Sequence, residues 1–483
     1  MAKRTKGFKL GVGVVILMVL IALASMPVKQ TLSVGTGYAA KRLCSEVYLA
    51  ERAADEVWRE DLALLPLFLL SYQMDDAKKV ATVSSLGLVT QAAAYRDGLG
   101  CSLTNGTTVE AIQAMSIDFI EPTSTYDAGA LWPEGQAIQA DPPDGVDVPK
   151  LTAALDFAFS EPDPERPYNT RAVVVVYKGR IIAERYAKGF DANTRLLSWS
   201  MAKSVTNAMI GVLVKQGKLD IHLPAPVPEW KGAADPRGKI STDDLLRMSS
   251  GLSFDETYGA FGDVTDMLFV QHDAAHRAAS TSLESDGGEA VWSYSSGDTN
   301  ILARIVREVI GDDAVYHRFP SREIFGPIGA YSAVFETDPS GTFVGSSFVY
   351  MTARDWARFG LLYLNDGEWF GAQILPKGWV EYSCELTPGT PLGEYGAQWW
   401  LNRGNPEGSS NRPYPSAPTD LCTASGFETQ RVAFIPSREV VIVRLGLTRT
   451  SGDFPTDAFF GRVLDALPAP TGAAARASDA LDP

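Results

Sequence analysis

Ser200 and Lys203 stand three residues apart in Ser200-Met201-Ala202-Lys203, the one S-x-x-K spacing found among the serines of this chain. At the opening of a helix this spacing puts both side chains on one face, within reach of each other. A serine hydroxyl is a weak nucleophile until a neighbouring base takes its proton, and a desolvated lysine can be that base. The chemistry on offer is covalent acyl transfer. Taken alone, the pair has an ordinary explanation too, a helix-capping serine beside a solvated lysine.

Other chemistries find less support. The four histidines, His222, His272, His276 and His317, flank no motif, and no G-x-S-x-G elbow occurs, so a Ser-His-Asp arrangement fits poorly. His272 and His276 have i, i+4 spacing but no recognisable third ligand, and no C-x-x-C pair is present. No metal and no cofactor is expected. A net charge of -15 opposes a nucleic-acid partner, since phosphate binding rests on clustered Lys and Arg.

The pair needs elements to hold it. Ala172-Val173-Val174-Val175-Val176-Tyr177 reads as a buried strand, Lys178-Gly179 as a tight turn and residues 181–186 as the hairpin partner. A helix then runs on from the Ser200 stretch to Gln216, where Gly217 stops it. Thr242 is expected to cap a short helix carrying Leu245, Leu246 and Met248, and Trp292-Ser293-Tyr294-Ser295-Ser296-Gly297-Asp298 opens another, with Asp298 as a turn or cap residue. Residues 431–436 and 439–447 form a second hairpin around Pro436-Ser437-Arg438. Hairpin, helical middle, hairpin implies an α+β fold: one antiparallel sheet built from both ends of the domain and flanked by helices, with a helical lobe and the site in the cleft between them.

At 483 residues the chain exceeds one usual core. Its organisation reads as a basic N-terminus (1–9), an apolar anchor or signal segment (10–27), an N-terminal accessory region (38–121), a Pro-, Gly- and Asp-rich linker (122–147), the main domain (148–467) and a disordered tail (468–483). Within the accessory region residues 39–72 read as helical, and 79–84 and 86–95 as strands. The apolar run behind Lys3, Arg4, Lys6 and Lys9 is either a cleaved signal or, our preference, an inner-membrane anchor, and both put the main domain outside the cytosol, in the periplasm of a Gram-negative envelope. Cys44, Cys101, Cys384 and Cys422 suit that compartment. Pairing Cys44 with Cys101 and Cys384 with Cys422 keeps each bridge within one region, and four free thiols are the alternative.

The main domain resembles the serine hydrolases of the penicillin-binding protein and class C β-lactamase type, most of all their 6-aminohexanoate-dimer hydrolase and esterase branch. Four features carry the resemblance in order: Ser200-Met201-Ala202-Lys203, residues 245–252, Tyr294-Ser295-Ser296-Gly297-Asp298, and Ala424-Ser425-Gly426-Phe427. It implies a β-lactamase/transpeptidase-like fold, Ser200 as nucleophile, Lys203 as base and Tyr294 as a proton-sharing partner. It also implies an oxyanion hole from the backbone N–H groups of Ser200 and Phe427, with Ser296, Ser425 and Gly426 in support.

Two departures narrow the expectation. Ser296 stands where this family usually has asparagine, and Ala424 where it usually has a cation that holds a substrate carboxylate. The expected activity is therefore hydrolysis of a small ester or linear amide. The alternatives are a non-catalytic penicillin-recognising-type binding or sensor protein, and a β-lactamase or D-Ala-D-Ala peptidase. The Trp399-Trp400 segment, with Tyr395 and Trp369, either packs the core or lines an acyl pocket.

Overall fold

The computed structural model describes residues 27–117, 129–232, 234–284, 291–450 and 452–469. The expected anchor or signal segment falls outside these residues except for Pro27, as do parts of the expected linker and tail. Among the described residues no helix is long and apolar enough to cross a membrane.

The main domain is built on a six-stranded antiparallel sheet in the order Trp400–Leu401, Cys422–Gly426, Gln430–Ile435, Val440–Gly446, Thr170–Tyr177, Arg180–Tyr186. The last central strand of the chain pairs with the first, Val443 opposite Val174, so the sheet is closed by both ends of the domain. Lys178 and Gly179 both have positive φ, as the tight hairpin turn requires. Every residue of Thr170–Tyr177 is buried because both faces of the sheet are covered. Val174 and Val176 face the large core shared with the helix Ala353–Leu364, while Val173 and Val175 face a second core made by the helices Val148–Ala158 and Thr456–Asp465. A strand covered on both sides has no polar face, which is why its sequence shows an unbroken valine run.

The lobe holds the helices Thr242–Leu246, Asp263–Phe269, Ala274–Ala279 and Ser296–Ile310. Between lobe and sheet runs Ala202–Lys215, buried from Ala202 to Leu213. Its interior polar groups are all paired: Ser204 donates to the Gln398 carbonyl (2.8 Å), Thr206 to Gly345 (3.0 Å) and Asn207 to Ala397 (2.9 Å). Two expected caps shift, one by a single position and the other by three. Ser241, rather than Thr242, caps its helix in a reciprocal capping box with Asp244. Ser295 caps Ser296–Ile310, leaving Asp298 buried in the first turn.

The accessory region departs most from expectation. Residues 39–72 are not one helix: a helix over residues 27–48 ends before Glu51, which has positive φ, the short helix Ala54–Glu60 follows, and beyond Pro66 the chain enters the strand Leu70–Asp75. Proline removes an amide donor and crowds the preceding turn, so the helical pattern cannot continue there. Leu70–Asp75 leads a four-stranded antiparallel sheet with Val80–Ser85, Val89–Arg96 and Gly100–Leu103. Disulfides join Cys44 to Cys101 and Cys384 to Cys422.

This region is packed into the main domain rather than tethered to it. The buried Glu336 carboxylate takes the ammonium of Lys41, the hydroxyl of Ser45 (2.9 Å) and the backbone N–H of Cys101 (2.6 Å). Asp61 takes Arg42 and Arg52 (2.7 Å each) and both nitrogens of Arg171 (2.8 Å), and these cations hold its carboxyl well below the usual carboxylate range.

Candidate active site

A short 3₁₀ turn, Trp199–Met201, opens the buried helix and carries Ser200. Trp199 has a φ of 46°, a left-handed conformation that is costly for a bulky residue and persists because its surroundings determine it. The indole N–H donates to Glu428 (2.9 Å), while Tyr38 stacks on the ring and Arg42 lies over it. The N-terminal helix thus clamps the residue before Ser200.

Lys203 is 2% exposed, and its Nζ lies 3.1 Å from Ser200 Oγ, 2.9 Å from Ser296 Oγ and 3.3 Å from the Ser346 carbonyl. Burial pulls its pKa down to about 8, with Glu256 opposing the shift. A neutral amine there could take the serine proton across the 3.1 Å contact. Tyr294 packs edge-on to Tyr395 and against Trp400, with the Lys203 ammonium position 4.8 Å from its ring centroid, and its hydroxyl approaches Ser200. Burial, reinforced by the Glu256 charge, holds the phenol well above its ordinary value. The two groups are pushed apart, the lysine toward a base and the tyrosine toward an acid, which is how a site assigns its proton acceptor and donor.

The strand Cys422–Gly426 ends against the Ser200 turn. A Cβ on Gly426 would overlap the Ser198 carbonyl and come within 3.2 Å of Trp199 Cβ. This close approach brings the Phe427 backbone beside that of Ser200, with the two rings Phe427 and Trp199 edge-to-face at 5.6 Å. Beyond Phe427, Glu428 and Thr429 both have positive φ, and buried Arg444 donates to their carbonyls (3.2 and 3.0 Å), holding the turn in place.

Ser200, Lys203, Tyr294, Ser296, Ser425, Gly426 and Phe427 therefore converge. A cleft of about 470 Å³ opens at Ser200, Tyr294, Ser425 and Phe427, a size typical of small-molecule sites. Trp399 lies in the core against Tyr363 and Phe434, whereas Trp400 lines the cleft, so the aromatic segment divides between the two roles.

Among the cleft residues that sequence reading does not place there, Glu256, Tyr258 and Arg431 bear most on the chemistry. Glu256 accepts from Ser296 Oγ (2.6 Å) and from the Ser296 backbone N–H (2.7 Å), and burial raises its carboxyl despite the nearby lysine. Tyr258 stacks on Phe427 with ring centroids 5.8 Å apart. Arg431, on the strand beside Ser425, is a cation facing the cleft although Ala424 itself is buried. Pairing across the Gly426–Gln430 connection is the one sequence signal that would have found it, whereas the Glu256 loop carries no pattern at all. His276, meanwhile, pairs with Glu229 (2.8 Å), and His272 with the Asn105 carbonyl (2.7 Å).

The family model described as Beta-lactamase matches residues 165–464, more than half of the chain. The chain belongs to the Beta-lactamase family. This Beta-lactamase-family chain is also 27% identical over 301 residues to the 6-aminohexanoate-dimer hydrolase of Paenarthrobacter ureafaciens, covering 57% of this chain and 72% of that one. A Bacillus anthracis structure provisionally described as a 6-aminohexanoate-dimer hydrolase is similar at 25% identity and a TM-score of 0.51, over 62% of this chain and 81% of that one. A class C β-lactamase solved with cefoxitin shares the fold, at 14% identity and a TM-score of 0.50 over 67% of this chain and all of that one.

Proposed function

We propose that the protein is a serine hydrolase that cleaves an ester or a linear amide through an acyl-enzyme on Ser200. The observation that carries the reading is the short contact from Ser200 Oγ to a buried lysine whose burial favours its neutral form. Neutral Lys203 accepts the Ser200 proton as Oγ bonds to the carbonyl carbon. The resulting oxyanion sits between the backbone N–H groups of Ser200 and Phe427, each such donor being worth about 3 kcal/mol. As the intermediate collapses, Tyr294 passes its proton to the departing oxygen or nitrogen and recovers one from the Lys203 ammonium. Water then attacks the acyl-enzyme by the same route in reverse.

The named activity of the Paenarthrobacter relative supports an amide among the substrates. Arg431 supports a leaving group with negative charge, held on the Tyr294 side of the cleft. The two disulfides support a main domain outside the cytosol, held there by the apolar N-terminal segment.

A fluorophosphonate probe and a chromogenic acetate ester test the reading together. Wild type is expected to be labelled at Ser200 and to turn the ester over, with Ser200→Ala losing both. Full ester turnover by Ser200→Ala would overturn the assignment, and an acyl adduct that never clears would instead mark a binding or sensor protein.

A further inference from the structure

A second cavity of about 440 Å³ lies against the catalytic cleft and is lined almost wholly by apolar groups. One side comes from the N-terminal region, including Leu32, Val34 and Gly35 of the helix over residues 27–48 and Leu65 beyond it. The other side is Trp199, Tyr258 and Phe427, of which the last two also line the cleft around Ser200. Tyr258 and Phe427, stacked within 6° of parallel, line both spaces and so mark where the two meet.

We infer that this chamber receives the hydrocarbon chain of the acyl group of an amphiphilic ester or amide substrate. The inference rests on the proposed function and names its substrate class. Direction follows from the proton donor. The leaving group must lie against Tyr294, and Tyr294, Glu394, Trp400 and Arg431 line the cleft but not the chamber. A chain that enters the chamber extends from the carbonyl carbon away from Tyr294 and belongs to the acyl half. The polar end, with Arg431 and Glu394, is left for the head group.

The chamber's rim fits the same class. Leu64, Phe68, Leu86 and Phe261 are 52%, 85%, 63% and 67% exposed, and each either lines the chamber or adjoins a residue that does. Large apolar side chains clustered in water mark a contact with something apolar, here the chain being loaded.

The test uses the full chain and p-nitrophenyl esters from acetate to decanoate, kept below their micelle-forming concentrations. kcat/KM is expected to rise about tenfold or more along the series, since each buried methylene favours binding. Gly35→Leu narrows the chamber without crowding the helix, because a Cβ there meets nothing within 4 Å. It is expected to cost about tenfold on decanoate and to leave acetate within about twofold. In a Ser200→Ala background, dodecanoate binding followed by calorimetry should weaken with Gly35→Leu. A flat chain-length profile, equal losses on both esters, or dodecanoate binding unmoved by Gly35→Leu would each overturn the inference. Acetate hydrolysis independent of Ser200 would instead remove the proposed function, and the calorimetry would still judge the chamber.

Discussion

Trp199 Nε1 donates to Glu428 Oε2 at 2.9 Å, tying the turn that carries Ser200 to the turn that follows the Phe427 amide. Glu428 is 3% exposed, and its other oxygen takes Arg449 (2.7 Å), while Arg42 from the N-terminal helix lies 3.9 Å away. Breaking a buried pair from one side strands the remaining charges, at a cost of roughly 3 kcal/mol. Glu428→Ala is accordingly expected to lower the melting temperature by several degrees and kcat by more than tenfold, with KM little changed. Calorimetric melts beside steady-state kinetics check this, and Glu428→Gln, which keeps the indole contact, should recover part of the rate.

Activity should rise with pH through about 8, because only the neutral amine of Lys203 can take the Ser200 proton. Glu256 raises the lysine's pKa, so Glu256→Gln is expected to move the acidic limb of the kcat/KM profile to lower pH. A profile that falls through pH 8, or a limb unmoved by Glu256→Gln, would contradict this.

The same residue links stability to pH. Unfolded lysine titrates near 10.5 and buried Lys203 near 8, so the unfolded chain binds more protons in between and stability rises from pH 8 to 10.5. Lys203→Met should abolish turnover and yet raise stability at pH 7 by as much as about 3 kcal/mol. Urea unfolding at pH 7 and pH 10 reads both effects.

Asp298 is expected to act in the opposite sense. Burial pushes its carboxyl up to about 8, with Ser250 Oγ donating to it at 2.8 Å. Its unfolded counterpart ionises near 3.8, so stability falls as pH rises from 3.8 to 8. Asp298→Asn keeps an acceptor for Ser250 and should stabilise the protein at pH 8 by roughly 2 kcal/mol or more, with no gain at pH 3.5, as thermal melts at the two pH values would show.

Cys44–Cys101 joins positions 57 residues apart in sequence, and closing a loop of that length is worth about 4 kcal/mol on the chain-entropy account. Cys101→Ser is expected to lower the melting temperature and to expose residues 49–69 to limited proteolysis. The same variant should reduce turnover, since Tyr38 and Arg42 on the bridged helix hold Trp199.

What could be read directly from the amino-acid order was local. The Ser200 and Lys203 side chains meet because three residues along a helical turn return to one face, and the two hairpins follow from Lys178-Gly179 and Pro436-Ser437-Arg438 between apolar runs. Where local signals conflict, the reading does not hold: residues 39–72 read as helical, but Pro66 and the left-handed Glu51 divide them. Tertiary structure alone decided the rest. Glu256 and Arg431 reach the cleft from separate parts of the chain, and the N-terminal helix lies across Trp199, because packing places them there and no spacing records it. It also decided proton ownership. Tyrosine and lysine titrate close together in water, and burial drives the phenol up and the amine down, with Glu256 adding to the first shift and opposing the second. Sequence supplied Ser200 and Lys203 as a pair that can meet; desolvation, a property of the folded interior, favours the neutral amine that the proposed mechanism needs.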